Sequence, residues 1–233
     1  MRLSPLVSGI FVHRDNRFRV QVRIGDHIEP VHLPNSGRLG ELLVPGHKVW
    51  LAPADLDRNP RRRTAYDLAL VQFDGRLVSV DARVPGKLVA EALHHDQLAG
   101  FEGYATVRRE VRLGDSRLDF RLDAGSAEPP CWIEVKSVTL VENGIARFPD
   151  APTLRGQRHL RELIGAVRSG DRAAVLFVVQ RDDAQRFAPY DEADPAFGQT
   201  LRQAVGAGVE VHAWRCRVNR KAIQLLDTIP VTL

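Results

Sequence analysis

Three charged residues in this 233-residue chain are spaced so that they could meet: Asp119, Glu134 and Lys136. Asp119 lies in Ser116-Arg-Leu-Asp-Phe-Arg-Leu, and the other two in Cys131-Trp-Ile-Glu-Val-Lys-Ser-Val. Both stretches alternate with period two, the pattern of half-buried strands. In the first, Leu118, Phe120 and Leu122 face one way and Arg117, Asp119 and Arg121 the other. In the second, Cys131, Ile133 and Val135 oppose Trp132, Glu134 and Lys136. The turn-rich loop Asp123-Ala-Gly-Ser-Ala-Glu-Pro-Pro joins them. Folding about Ser126–Ala127 sets Leu118 against Val135, Phe120 against Ile133 and Leu122 against Cys131. Asp119 then faces Glu134, with Lys136 further along the same side. A one-residue slip would put charges on the apolar face. Facing carboxylates repel. A divalent cation between them would remove that cost, because Mg²⁺ is held by one or two carboxylates plus waters and phosphate oxygens. A lysine beside it can orient a water or steady a charged transition state. An exposed sheet face bearing a Glu–Lys pair is the other reading of the same residues.

Asp, then Glu-x-Lys on the next strand, resembles the PD-(D/E)XK nuclease superfamily, and the flanking elements agree. Pro85 starts a helix through about Leu98, with Leu88, Ala92 and Leu93 on one face and Gly100 ending it. Glu91 lies beside that stripe. Tyr104–Leu113 reads as a strand, and a two-residue turn at Gly114-Asp115 would set Glu110 opposite Asp119. There it either joins the carboxylates or pairs with a flanking arginine, and the second reading is preferred. After Leu140 a loop leads to a helix N-capped by Thr153 and running to about Ser169, with Leu160, Leu163, Ile164 and Val167 buried. Its first turns carry Arg155, Gln157, Arg158, His159 and Arg161, and a helix N-terminus with three arginines would attract phosphate. A charged solvent-facing surface is the alternative. A strand at Arg172–Gln180, a helix at Asp194–Gly206, a strand at Val209–Arg215 and an edge at Ile223–Leu226 follow.

The first part of the chain contains strands and turns only. Val7–His13, Phe18–Ile24, Ile28–Leu33, Lys48–Pro53, Leu68–Phe73 and Leu77–Val80 are the strands, and Gly25-Asp26 and Asp74-Gly75 are hairpin turns. Arg38–Leu43 reads as one helical turn. Strand-only units of this size are often five-stranded OB barrels, which bind nucleic acid through basic and aromatic side chains. The candidates here include Arg14, Arg17, Phe18, Arg19, Arg23, Arg38 and the run Arg61-Arg62-Arg63, which contacts phosphate or sits in a solvated loop after Asn59-Pro60. The loop His32-Leu-Pro-Asn-Ser-Gly reads as a tight strand exit, with Asn35 and Ser36 bonding backbone groups. The less favoured reading is phosphate contact by its amides. Two domains are therefore expected, 1–81 an all-β OB-like barrel and 82–233 an α/β restriction-endonuclease-like domain.

Composition is that of an ordinary soluble protein, 44% hydrophobic and 27% charged. The net charge of +4 permits nucleic-acid binding without demanding it. Cys131 and Cys216 match no zinc spacing and read as reduced thiols. Pro5 breaks any signal-peptide pattern, and the longest apolar run, Ala173–Val179, is too short to span a membrane. A cytoplasmic protein without membrane contact is expected. No helix-turn-helix signal points to sequence-specific reading.

Over nearly its full length the chain resembles the sugar fermentation stimulation protein A family. The matching blocks include His32-Leu-Pro-Asn-Ser-Gly, Pro45-Gly-His-Lys-Val-Trp, Ile133-Glu-Val-Lys-Ser-Val-Thr-Leu, Phe148-Pro-Asp-Ala and Arg155-Gly-Gln-Arg-His-Leu-Arg-Glu-Leu. The family's Thr-Trp-Glu-Leu block is replaced here by Ala65-Tyr-Asp-Leu, and its aromatic-basic stretch before Arg17 by Arg14-Asp15-Asn16. The resemblance implies an OB-like domain, a nuclease-like domain, non-specific DNA binding and a regulatory role in maltose metabolism. Two functions are carried forward. One is a Mg²⁺- or Mn²⁺-dependent phosphodiesterase on DNA or RNA. In it Asp119 and Glu134 hold the metal, Lys136 positions water, Glu91 and Gln157 support, and Arg17, Arg38, Arg61, Arg62, Arg63, Arg155 and Arg158 bind nucleic acid. The other is a non-catalytic DNA-binding regulator.

Overall fold

Six strands come first: β1 (Val7–Asn16), β2 (Arg19–Ile24), β3 (His27–His32), β4 (Lys48–Pro53), β5 (Tyr66–Phe73) and β6 (Arg76–Ser79). The structure is a computed structural model describing residues 1–57, 60–125 and 129–233. Inward-facing residues of these strands, among them Phe11, Val20, Val22, Val31, Val49, Leu51, Leu68 and Val71, fill one core. The hydrogen-bonded order is β3-β2-β1-β4-β5-β6, and a parallel contact at His32–Asp67 joins β3 to β5. That contact closes the first five strands into an OB barrel. Between β3 and β4, Leu42 and Leu43 N–H donate to Leu39 O at 3.1 and 2.9 Å, forming the single expected turn.

The second half runs α1 (Val84–His94), β7 (Thr106–Leu113), β8 (Ser116–Asp123), β9 (Cys131–Val138), β10 (Val141–Glu142), β11 (Ile145–Phe148), α2 (Leu154–Arg168), β12 (Arg172–Val179), β13 (Arg186–Pro189), α3 (Pro195–Gly206), β14 (Glu210–Val218) and β15 (Ile223–Thr228). The main sheet has the order β15-β14-β12-β9-β8-β7. β7, β8 and β9 form the antiparallel meander, and β9, β12 and β14 are parallel. Ala174, Leu176 and Val178 of β12 pack on the α1 side, and Val175, Phe177 and Val179 on the side of α2 and α3. A strand covered on both faces must be apolar throughout. This is the restriction-endonuclease-like order.

The two halves share packing. Trp50, Ala69 and Leu70 of the barrel belong to the core beneath α1. Ser79 Oγ donates to Gln180 Oε1 at 2.7 Å, and the backbone N–H groups of Arg38 and Leu39 donate to Asp150 Oδ2 at 2.7 and 3.2 Å. A Cβ at position 37 would stand 2.7 Å from that same Oδ2, so Gly37 permits the approach. The His32–Gly37 loop is thus the structural turn expected: Asn35 donates to Val80 O at 2.9 Å and accepts from Gly37 N–H at 2.8 Å.

Three features differ from the sequence reading. α1 stops at His94, because Asp96 takes φ +56° and Gln97 N–H folds back to Ala92 O at 2.8 Å. β10, β11 and β13 make a small third sheet where a loop was expected. Its hairpin turns on Asn143-Gly144, both at positive φ, a recognised hairpin dipeptide. The alternation of β8 also reverses at Asp119. Leu118 packs on the α2 side with Val111 and Leu113, whereas Phe120 and Leu122 pack on the α1 side. The turn placed at Ser126–Ala127 lies outside the described residues.

Candidate active site

The register of β8 and β9 is as the alternation required, with Phe120 beside Ile133 and Leu122 beside Cys131. The ladder ends there. At the next step Val135 N–H donates 2.7 Å to Asp119 Oδ2, so a carboxylate takes the place of a backbone carbonyl. On the other flank, β7 and β8 pair at Arg109–Phe120 and Val111–Leu118 but not between, where Glu110 stands opposite Asp119 at φ +53°. Left-handed backbone is unusual for a residue with a Cβ. Both neighbours of β8 therefore lose regular pairing at Asp119, and this break accounts for the reversed facing. The Glu110 carboxylate makes no hydrogen bond or ion pair among the described residues, so its expected arginine partner is not found. It lines a cleft with Asp119, Arg83, Lys87 and Arg109.

Glu134 is buried. Its Oε1 accepts from Lys136 Nζ at 2.6 Å and from Nδ1 of the equally buried His159 on α2. Arg155 Nε donates to His159 Nε2 at 3.3 Å, which assigns the imidazole hydrogen to Nδ1. Glu134 Oε2 is buried and has no hydrogen-bond partner among the described residues. Burial works to raise the Glu134 pKa, but the Lys136 ammonium and the His159 bond outweigh it and hold the group below the usual carboxylate range. Asp119 goes the other way: burial and the negative charge of Glu134, with Glu110 adding, push it up to about 6.

Asp119, Glu134 and Lys136 line one cleft of about 540 Å³ whose far wall comes from the barrel, through Arg17 and Asn35–Gly37. Arg147 and Arg155 also line it. The donor set suits a hard cation. An unpartnered carboxylate oxygen beside a destabilised carboxylate is what Mg²⁺, Mn²⁺ or Ca²⁺ neutralises, with waters completing the shell. Both nitrogens of His159 are engaged, so none is free for zinc. Among the described residues no group of three His, Cys, Asp or Glu stands ready as a cage.

Two expected supporting residues are elsewhere. Glu91 is paired with the Met1 ammonium at 2.7 Å, at a separate pocket lined by Trp214 and Leu226. α1 turns that face away from the β8–β9 step. Gln157 is buried against α3, donating to both Asp194 carboxylate oxygens at 3.2 Å. Asp194 caps α3 through Phe197 N–H, so Gln157 ties helix to helix. Arg62 also departs from its expected role: it donates to Asp67, Tyr66 O and Thr64 O and holds the barrel seam. There Asp67, whose burial is outweighed by bonds from Arg62, Arg83 and His32, is held down at about 2. Arg38, Arg61, Arg63 and Arg158 are exposed and do not line the cleft that holds Glu134. His159 was named in sequence only among the polar residues of α2. Its signal was positional, one step before Leu160 and four before Leu163 on the buried stripe.

An OB barrel docked on a mixed sheet with Asp on one strand and Glu-x-Lys on the next defines the class: a restriction-endonuclease-like protein with an N-terminal OB domain. Residues 12–80 match the family model described as the SfsA N-terminal OB domain, and residues 83–222 the one described as the sugar fermentation stimulation protein RE domain. The chain belongs to the sugar fermentation stimulation protein family. It is 47% identical to the homolog of Moorella thermoacetica, covering 99% of this chain and 98% of that one. It is 45% identical to that of Desulforamulus reducens, covering 99% and 94%. A solved structure of Pyrococcus furiosus SfsA in complex with Ca²⁺ matches with a TM-score of 0.91 at 33% identity, covering 100% and 98%. Among the described residues no helix is long and apolar enough to cross a membrane.

Proposed function

We propose that this protein is a divalent-cation-dependent phosphodiesterase acting on DNA or RNA with little regard to sequence. The observation that carries the reading is the unpartnered, buried Oε2 of Glu134 beside an Asp119 pushed up to about 6. Leaving a buried carboxylate oxygen unsatisfied costs about 1–3 kcal/mol or more, a cost that a bound Mg²⁺ or Mn²⁺ offsets. The Pyrococcus furiosus relative, solved with Ca²⁺, supports a hard divalent cation in this family. Asp119 and Glu134 hold the cation, which when bound neutralises charge developing at the phosphate. Lys136 does two things from one strand face. Its ammonium fixes Glu134 Oε1, and Lys136 lines the cleft, where its remaining donors orient a water or steady the phosphate oxygens. His159, from α2, holds the same Glu134 oxygen. Arg17 and Arg155 meet phosphates on the two walls.

The test uses labelled single- and double-stranded DNA and RNA, with Mn²⁺, Mg²⁺ or EDTA, and purified wild type and Lys136→Ala. Wild type should cut at least one substrate only with metal, and the variant should bind nearly as well and cut nothing. A wild type that cuts nothing, or cutting that survives Lys136→Ala, refutes the reading. The alternative, a non-catalytic DNA-binding regulator of maltose metabolism, retains the arginines but leaves Glu134 Oε2 uncompensated.

A further inference from the structure

The cleft and its rim carry two exposed apolar side chains, Leu154 and Phe18, that phosphodiester chemistry does not use. Leu154 opens α2 and is 80% exposed, while the buried stripe of that helix runs through Leu160 and Leu163. It lines the cleft beside Arg155. Just outside the lining, next to the lining residue Arg17, Phe18 is 48% exposed, and the Arg17 guanidinium stands over its ring at 6.0 Å from the centroid. This lip of the barrel is held in place. Arg14 donates to the carbonyls of Asn16, Arg17, Gly37 and Arg38 at 3.1, 2.8, 2.9 and 2.8 Å. Phe18 N–H donates to Asn16 Oδ1 at 2.9 Å. The Gly37–Leu39 segment is in turn bonded to Asp150 across the domain boundary. An arginine whose three side-chain nitrogens all donate to backbone carbonyls fixes the lip before any ligand arrives, which lowers the ordering cost of binding.

We infer that the cleft takes single-stranded nucleic acid, with phosphates on Arg17, Arg147 and Arg155 and unpaired bases against Leu154 and Phe18. The inference rests on the nuclease reading only in that the strand leads on to Asp119 and Glu134. A duplex presents phosphates and keeps its base faces stacked, so it engages the arginines and leaves the apolar lips in water. A single strand offers its base faces, which stack on aromatic and apolar groups whatever the sequence. The cleft, at about 540 Å³, is the size of a small-ligand pocket, suited to a strand and its bases.

The test measures binding of wild type in EDTA, where no cutting occurs, by fluorescence anisotropy at fixed salt. The probes are a single-stranded DNA oligonucleotide, its RNA counterpart, an abasic strand of equal length and charge, and the blunt duplex. The natural strands should bind at least about tenfold more tightly than the abasic strand and the duplex. The doubly substituted Leu154→Ala/Phe18→Ala protein should lose that preference while its affinity for the abasic strand stays level. Both residues are exposed, and an unchanged melting temperature verifies the fold. Equal binding of natural and abasic strands, tighter binding of the duplex, or a preference that survives the double substitution overturns the inference. The nuclease reading fails separately: a protein that prefers single strands in EDTA yet cuts nothing with Mn²⁺ sinks that reading and leaves this one standing.

Discussion

Replacing Asp119 by Asn should stabilise the cation-free protein, by an amount that depends on pH. Burial, with Glu134 beside it, pushes Asp119 up to about 6, whereas an unfolded chain holds aspartate near 3.9. Between those values the folded protein binds more protons than the unfolded one. Stability contributed by this group is therefore greatest below about 4, falls as pH rises through the window, and stays low above about 6. The gap corresponds to about 3 kcal/mol. Asp119 borders the open cleft, so solvent screening reduces this to about 1–2 kcal/mol. Asparagine fills the same space, and its side-chain oxygen can still accept from Val135 N–H. For a chain of this length, about 1–2 kcal/mol moves the melting temperature by about 2–8 °C. Calorimetric melts of both proteins in EDTA should converge near pH 4 and separate by that amount above pH 6, the variant being higher. Glu134, held down by Lys136 and His159 in both proteins, loses its contribution in acid equally and cancels in the difference. Mn²⁺ should then raise wild type far more than the variant and close the gap. A wild type as stable as Asp119→Asn at pH 8 without metal, or a gap that does not grow between pH 4 and 6, refutes the electrostatic reasoning.

Four further outcomes follow from the same geometry. His159→Ala should weaken Mn²⁺ binding by about 10–100-fold in titration calorimetry, because Glu134 loses the donor that orients it. Arg62→Ala should lower stability by about 1–3 kcal/mol in urea melts by leaving Asp67 underpaired, with nucleic-acid affinity nearly unchanged. The pair Arg61→Ala/Arg63→Ala should reverse that pattern, flattening the log–log salt dependence of binding by about 0.9 per lost phosphate contact. Glu91→Gln should leave cleavage intact and lower only the melting temperature.

The central register was legible because charges and apolar residues alternate strictly, and a slip would have buried Arg121 or exposed Ile133. The barrel was legible from strand length and turn dipeptides, and Thr153 from its place before an amphipathic stripe. Contacts between elements were not legible. Gln157 and Glu91 sat on the right helices, but which partner a long side chain meets depends on packing angles that no periodicity encodes. Arg62 looked like its neighbours Arg61 and Arg63, but its side chain turns back to Asp67, five residues on at the seam where β3 meets β5. The His159–Glu134 bond spans 25 residues and two layers.

Strict alternation fails at Asp119, where the chemistry is also proposed. At Asp119 the reading expected an unbroken strand with Leu118, Phe120 and Leu122 on one face. Instead Glu110 adopts a left-handed backbone, Asp119 takes a backbone N–H with its side chain, and Leu118 turns to the other core. A regular ladder would have paired the backbone at this step. The break leaves the Asp119 carboxylate fixed by Val135 and the Glu134 oxygen short of a partner. Conflicts between local pattern and observed structure are expected where function overrides stability. The strain at Glu110 and the raised Asp119 lie side by side on adjacent strands, as a site that a cation completes requires.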